Sequence, residues 1–284
     1  MAVVRPFSCV RPAAEHAAEI AALPYDVYNR EEACREVARE PLSFLKIDRA
    51  ETQFDSSVDT YAPEVYAKAK ELLENAIADG TFIKDSEQAY YIYELTMDGR
   101  VQTGLVACAS IDDYESNVIK KHENTRADKE LDRITHVDTC NAQTGPIFLA
   151  YRANAVINGE IDKAKKNSSL YNFVSPDGVR HQVWKISEPQ SVKAIRGAFE
   201  GISSIYIADG HHRAASAVKV GLKRRAEHPD YDGTEEFNYF LSVLFPEEEL
   251  MIMDYNRVVK DLNGLSETEF ITKVSEKFEI QKLG

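Results

Sequence analysis

The densest group of chemically active side chains in the sequence is DGHHR, residues 209–213. It follows the apolar stretch 203–208 and precedes a run of helix-forming residues, 214–226. This order predicts a strand, a turn and the first turn of a helix. The free backbone N–H groups and the positive dipole end at the start of a helix favour a phosphate group. We therefore predict an anion site at this turn.

Each residue of the turn has a predicted task. Gly210 permits backbone angles that let a ligand come close, and Arg213 offers a planar fork of donors. His211 and His212 can donate hydrogen bonds to phosphate oxygens. Asp209 would repel an anion, so we expect it to hold Mg²⁺ or to act as a base toward a second substrate. The alternative is a surface turn in which Asp209 caps the helix and the histidines are exposed.

A second charged stretch, KKHENTRADKELDRITH, occupies residues 120–136. Glu123 stands beside two lysines and His122, and an acid in such surroundings can serve as a general base. Asp132 and His136 are four residues apart and share one face of a predicted helix. Their spacing matches no zinc motif, so a solvated charged helix is favoured over a metal site.

Composition excludes several classes of function. The formal net charge of −13 argues against a nucleic-acid partner, which needs a basic face. Residues 209–225 nevertheless contain five cationic side chains and one acid, so we expect a local positive patch suited to a small anion. The sequence lacks the GxxxxGK[ST], GxGxxG and GxSxG patterns, which leaves a P-loop, a dinucleotide fold and a hydrolase elbow without support.

We expect neither a signal peptide nor a membrane span in this sequence. It contains no apolar run of the length of a signal peptide or a membrane span. Its four cysteines form no CxxC pair, which is typical of reduced thiols. We therefore expect a cytoplasmic protein without a membrane partner.

Hydrophobic patterns predict alternating helices and strands, and hairpin turns at MDGR and PDG favour the α+β class. The predicted helices are 31–39, 61–79, 124–143, 190–200, 214–226 and 266–278. The predicted strands are 90–96, 101–110, 146–151, 171–175, 181–186, 203–208, 237–245 and 251–259. A weakly marked boundary divides an N-terminal α/β region, 1–115, from a phosphate-binding region, 116–284.

The segment YIADGHHRAAS resembles the phosphate-binding motif of the ParB/sulfiredoxin-like superfamily, and among its branches it is most similar to the free serine kinases. The order of elements agrees: His122-Glu123, a helix with Arg133, the strand beginning Pro146-Ile147, then the motif. Along its whole length the chain is similar to a bacterial family of uncharacterised proteins labelled ParB-like. The blocks that carry this similarity are RPFSCVRP, LPYDVYNREE, PLSFLKIDRAE, KKHENT, GPIFLAY and YNRVVKDLNG.

The resemblance implies a mixed sheet with flanking helices. The chain departs from compact domains of the superfamily by an insertion between PIFLAY and the motif, which contains the PDG hairpin and the predicted helix 190–200 and could build a different acceptor pocket. It also implies that residues 210–213 hold the phosphates of ATP or ADP and that Asp209 orients Mg²⁺ or the acceptor. Glu123 would activate the acceptor hydroxyl, with Asp26 and Asp48 as rivals for that role.

Two further arginines, Arg133 and Arg257, are candidate phosphate contacts, with an ordinary salt bridge as the alternative for each. Sulfiredoxins need a cysteine where this chain has His211, and ParB proteins carry a DNA-binding region that this acidic chain lacks. The kinase branch therefore remains. Family members usually continue beyond this chain's last residue, so we expect the chain to be a fragment of a longer protein.

The expected function is that of a Mg²⁺-nucleotide-dependent kinase acting on a small hydroxylated metabolite, with free L-serine as the best named acceptor. The alternative is a non-catalytic nucleotide-binding regulatory module. A phosphoester hydrolase that uses the histidine pair is weaker, because no nucleophile accompanies the pair. The expected partner is a small-molecule substrate rather than DNA or a membrane, and a homo-oligomer is left open.

Overall fold

Alternating apolar stretches form the strands of a central sheet in the computed structural model, which describes residues 1–125, 127–254 and 256–282 and only the backbone of 127–129. The chain divides into two units, Met1–Leu250 and Met251–Gly284. In the first unit the described strands are β1 (Val4–Arg5), β2 (Val10–Pro12), β3 (Phe82–Lys84), β4 (Tyr90–Met97), β5 (Arg100–Ser110), β6 (Ile119–Lys120), β7 (Ile147–Tyr151), β8 (Tyr171–Val174), β9 (Arg180–Ile186), β10 (Ile205–Asp209) and β11 (Tyr239–Pro246).

Nine of these described strands form one mixed sheet in the order β6-β10-β7-β11-β5-β4-β9-β8, with β1 paired to β5. β6 runs parallel to β10, and β7 runs parallel to β11. The remaining neighbours in this sheet are antiparallel, and β2 and β3 form a separate antiparallel ribbon. The mixed sheet confirms the predicted α+β class.

The helices of the first unit pack on this sheet or on one another. Among the described residues they are α1 (Ala17–Ile20), α2 (Arg30–Arg39), α3 (Leu45–Asp48), α4 (Pro63–Ala78), α5 (Ile111–Glu115), α6 (Ala127–Cys140), α7 (Ala155–Ala164), α8 (Pro189–Glu200) and α9 (His211–Glu227). The unit 251–284 contains α10 (Glu267–Ser275), which Ser266 and Glu269 cap reciprocally, as the sequence predicts. No helix in the described residues is long and apolar enough to cross a membrane.

Two apolar clusters hold the first unit together. The larger one joins the sheet to α7, α8 and α9 through buried side chains such as Leu149, Phe199 and Ala214. The smaller one joins α3 and α4 to the end of α6, with Ile47 and Leu73 at its centre. Because α6 packs on both α4 and α9, it links the N-terminal helices to the turn that carries the DGHHR motif.

Most predicted elements lie within a few residues of the observed ones, but one long helix was missed and one predicted strand does not form. The helix Ala155–Ala164 was not predicted. The strand predicted over 251–259 does not form among its described residues, where Ile252 and Val258 are almost fully exposed and so lack the burial that stabilises a strand. Residues 126 and 255, within a predicted helix and this strand, lie outside the described residues.

The division predicted between residues 115 and 116 does not coincide with the observed units. Strands from both sides of it belong to the one sheet, because β5 pairs with β11 from Tyr239↔Ser110 to Leu244↔Leu105. The predicted hairpin insertion, which contains β8 and β9, also belongs to this sheet, where β9 pairs with β4. The first unit is therefore built around a continuous sheet.

Gly104 on β5 tests how tightly this sheet is packed. A Cβ atom at Gly104 would lie 2.7 Å from the buried Phe245 ring, so we expect Gly104→Ala to lower the free energy of unfolding by about 1–3 kcal/mol. Gly197→Ala is the control, because a Cβ there meets nothing within 4 Å and alanine should stabilise helix α8 by about 0.5–1 kcal/mol. Urea unfolding of both variants checks this, and equal effects would contradict it.

Candidate functional site

The DGHHR turn joins the end of strand β10 directly to helix α9. Gly210 is the residue before the helix, with φ 92° and ψ 33°, a left-handed conformation that glycine adopts without strain. No side chain caps the first turn of α9. Because Asp209 is not the cap and His211 is buried, the alternative of a capped turn with exposed histidines is wrong in both respects.

His211 is directed toward the segment that follows strand β6. The backbone N–H of His122 donates to its Nε2 at 3.4 Å, and Glu123 Oε2 lies 3.6 Å from its Nδ1. Burial lowers the pKa of His211, and the neighbouring His122 lowers it further. Its predicted role as a phosphate ligand is untested, but both ring nitrogens lie against residues 122 and 123, so it fastens that segment to the turn.

Arg213 lies across the turn. Its Nη1 donates to the carbonyl oxygen of Pro146 at 2.7 Å, and its Nη2 donates to Asp209 Oδ2 at 2.7 Å. A Cβ atom at Gly210 would lie 3.1 Å from Arg213 Nε. The guanidinium group is therefore held beside the uncapped first turn of α9 by a carbonyl oxygen and a carboxylate.

The predicted positive patch on α9 does not exist in the described structure, because each of its cations faces an acid. Besides Arg213 with Asp209, these ion pairs are Lys219 with Glu130, Lys223 and Arg224 with Asp138, and Arg225 with Asp112. The acids on α6 and α5 could not be assigned to these partners from sequence order. Helix α9 therefore offers an anion little positive charge apart from its N-terminus.

Two clefts open beside the turn. The outer cleft, of about 500 Å³, is lined by Asp26, Asp48, Arg49, Arg133, His136 and His212 together with four tyrosines, 25, 28, 61 and 66. The inner cleft, of about 430 Å³, is lined by Asp48, Tyr93, Arg133, His136, Pro146 and Arg213, among others. Tyr25, Asp48, Arg133 and His136 line both, so the two clefts are adjacent.

Arg133 stands between these clefts. It is buried, its Nε donates to Asp132 Oδ2 at 2.9 Å, and its guanidinium lies 4.2 Å from the centre of the Tyr25 ring. Asp132 also accepts a hydrogen bond from Tyr66. This arrangement contains the ordinary salt bridge that the sequence offered as an alternative, in a residue that still faces both clefts.

The N-terminal block LPYDVY reaches the site through Arg49, which sequence reasoning missed. Its Nη1 donates to the carbonyl oxygens of Tyr25 and Tyr28 at 3.0 and 2.6 Å, and its Nε donates to Glu51 at 2.5 Å. These bonds place Tyr25 and the neighbouring Asp26 at the clefts. The only signal for this block in the sequence was the similarity of LPYDVYNREE to a block of the ParB-like family.

The remaining predicted residues divide between two places. Asp48 accepts a hydrogen bond from Thr144 at 2.6 Å and lines both clefts, whereas Glu123 lies with His211 and lines neither. Arg257 belongs to the unit 251–284, so its predicted phosphate contact remains a prediction.

Asp209 is the predicted metal ligand. The described residues contain no group of three or more His, Cys, Asp or Glu side chains that could hold a metal ion. Mg²⁺ is usually held by one or two carboxylates together with substrate phosphates, so this finding does not test the prediction. The Asp209 side chain is 71% exposed despite its pairing with Arg213, which leaves its carboxylate accessible.

Comparison with known proteins gives a family but no activity. A family model described as "Protein of unknown function (DUF1015)" matches residues 4–283. No curated protein and no solved structure matched the chain.

Three histidines of the first unit make stability sensitive to pH. Burial lowers the pKa values of His136, His181 and His211. In the unfolded chain these rings bind protons as the pH falls through about 6.5, whereas in the folded chain they bind them only at lower pH. The stability that the neutral rings provide is therefore present above that pH and lost below it. We therefore expect the free energy of unfolding to fall between about pH 7.5 and pH 5.5.

His136→Gln should flatten this dependence, because the glutamine amide nitrogen lies near the position of Nε2 and can still donate toward the carbonyl oxygen of Ile47 but does not titrate. His228→Gln, at an exposed position just after the end of α9, is the control and should keep the wild-type slope. Urea unfolding across the pH range measures this. An unchanged slope in His136→Gln would show that His136 does not contribute.

Proposed function

This chain belongs to the DUF1015 family of proteins of unknown function, and we propose that it is a Mg²⁺-dependent kinase that transfers a phosphoryl group from ATP or ADP to the hydroxyl of a small metabolite. One observation carries the proposal: His212 and Arg213, in the uncapped first turn of α9, each line a cleft that also contains Arg133 and Asp48. The resemblance of the turn to that of free serine kinases makes L-serine the first acceptor to test.

In this proposal the phosphates bind at the start of α9. The first-turn N–H groups and the helix dipole favour an anion, and the missing side chain at Gly210 leaves room for the Arg213 guanidinium beside them. Arg213 is already fixed beside Gly210, so it loses little side-chain freedom when it binds a phosphate oxygen. The clefts beside the turn, each of at least about 430 Å³, have the size of small-molecule sites.

A carboxylate beside the turn is available as a ligand for Mg²⁺. Arg213 and Arg133 are both paired with acids, so the clefts have no surplus positive charge to neutralise a nucleotide. The exposed Asp209 carboxylate provides the kind of oxygen ligand that Mg²⁺ prefers. When bound, Mg²⁺ would supply the missing positive charge at the phosphates.

Phosphoryl transfer forms a bond between the acceptor oxygen and the terminal phosphorus while the bond to the bridging oxygen breaks. The proton of the acceptor hydroxyl must pass to a base. Asp48 lines both clefts, and Glu123 lies within reach of His211 at the other side of the turn. Either carboxylate can take the proton, and the placement of Asp48 in the clefts with Arg133 favours it.

The proposal predicts that the chain, supplied with Mg²⁺, ATP or ADP and a panel of hydroxylated metabolites, yields a product heavier by one phosphoryl group. Arg213→Met should weaken nucleotide binding by about tenfold or more, because a charge-assisted hydrogen bond is lost. Arg196→Met is the matched control, since this exposed arginine on α8 pairs only with Glu200 among the described residues. Calorimetry measures the affinities, and mass spectrometry identifies the product.

Asp48→Asn and Glu123→Gln then identify the base. The variant that lacks the base should lose turnover and keep its nucleotide affinity. Binding of nucleotide without product from any acceptor would replace the kinase by the regulatory nucleotide-binding module. Absence of nucleotide binding would contradict both.

A further inference from the structure

Tyr93 of strand β4 lines the inner cleft, and a series of hydrogen-bonded side chains holds its hydroxyl group. Its hydroxyl lies 2.7 Å from Nδ1 of His181 on β9, whose Nε2 lies 2.9 Å from Ser175 Oγ. The His181 ring is stacked between Tyr93 and Phe173, at 5.9 and 5.1 Å between ring centres. Ser175 in turn donates to the carboxylate of Asp177.

The partners of Ser175 determine where the protons of this chain lie. Its oxygen contacts the carboxylate of Asp177 and, at 3.0 Å, the carbonyl oxygen of Val179, and neither group can donate. The single Ser175 proton must therefore point to one of them, so Ser175 accepts from Nε2–H of His181. His181 Nδ1 is then an acceptor, and the Tyr93 O–H donates to it. The oxygen of Tyr93 is left with lone pairs only for the cleft.

Two other side chains of the inner cleft are arranged in the same way. His136 Nε2 lies 3.2 Å from the carbonyl oxygen of Ile47, which can only accept, so Nε2 carries the proton and Nδ1 is an acceptor. Asp48 accepts from Thr144 through Oδ1, and its second oxygen is another acceptor. In these pairings Tyr93 and His136 use their only donors and Asp48 has none, so each of the three is left with acceptors only.

We propose that the inner cleft selects its ligand by hydrogen-bond donors, with Tyr93 as the specificity-determining residue and His181 and Ser175 as positioning residues. Its ligand is a small molecule that carries an ammonium or hydroxyl group in addition to the hydroxyl that is phosphorylated. A ligand without this second donor leaves the Tyr93 oxygen unpaired in the cleft and binds more weakly. This inference rests on the proposed kinase function, for which it specifies the acceptor.

Three probes test it: L-serine, L-glycerate and 3-hydroxypropionate share a carboxylate and a primary hydroxyl but carry an ammonium, a hydroxyl or a hydrogen at C2. We expect the full chain to bind the first two about tenfold or more tightly than the third, as measured by calorimetry. Tyr93→Phe keeps the stacked ring and should bring this ratio close to one. Tyr206→Phe, an exposed tyrosine on β10 outside both clefts, should leave it unchanged.

Ser175→Ala tests whether the orientation of the Tyr93 hydroxyl, and not only its presence, determines the affinity ratio. Without Ser175, His181 can carry its proton on Nδ1 and donate to Tyr93, whose O–H then turns to the cleft, so the ratio should fall although the hydroxyl remains. Nitrogen-15 spectra of the histidine rings should show protonated Nε2 in the wild type and a shift toward Nδ1 in the variant.

Equal affinity for the three probes, binding of none of them, or an unchanged ratio in Tyr93→Phe overturns the inference. Binding of Mg²⁺ and ADP is measured separately, without any probe. If the protein binds ADP but fails these tests, this inference is overturned and the proposed kinase function stands. If it binds the probes selectively but does not bind ADP, the kinase function is overturned and only the selection of ligands by hydrogen-bond donors stands.

Discussion

The left-handed backbone of Gly210 is the constraint on which the site depends. With φ at 92°, it lets strand β10 pass into helix α9 without an intervening loop or a capping side chain. Arg213 then folds back over the glycine, where a Cβ atom would lie 3.1 Å from its Nε. The first-turn N–H groups, the guanidinium and the Asp209 carboxylate are brought together by this one conformation.

The order of the strands in the sheet determines which residues lie near this turn. Strands β6 and β10 are parallel neighbours, so the residues that follow them, His122-Glu123 and Gly210-His211, emerge at the same edge. Strand β7 runs antiparallel to β10, with Phe148 opposite Asp209, which brings the carbonyl oxygen of Pro146 within reach of Arg213. Helix α6 completes the site by placing Arg133 and His136 against the clefts.

The sequence was sufficient to predict the strand, turn and helix around Gly210, because turn and helix preferences are local. It predicted a positive surface on α9 wrongly, because Asp138 and Asp112, which pair with Arg224 and Arg225, lie on other elements far along the chain. The same limit explains Tyr93 and His181: neither stands in a motif, and only the pairing of β4 with β9 brings them together. The local sequence pattern does not show which distant strands pair or in what register.

In the proposed function, the charge balance of the site requires a cation beside the bound anion. The formal net charge is −13, and both arginines at the clefts are already paired. An uncapped helix start supplies partial positive charge that no acid in the described residues neutralises by capping. Mg²⁺ coordinated with the phosphates would complete the balance.

A crystal structure of the chain with Mg²⁺ and a non-hydrolysable ATP analogue is the decisive measurement for the proposed phosphate site at Gly210. We expect phosphate oxygens within hydrogen-bond distance of the backbone N–H groups of residues 211–213 and of the Arg213 guanidinium, with Mg²⁺ at Asp209. A nucleotide bound elsewhere on the chain, with no phosphate oxygen in contact with residues 211–213, would contradict it.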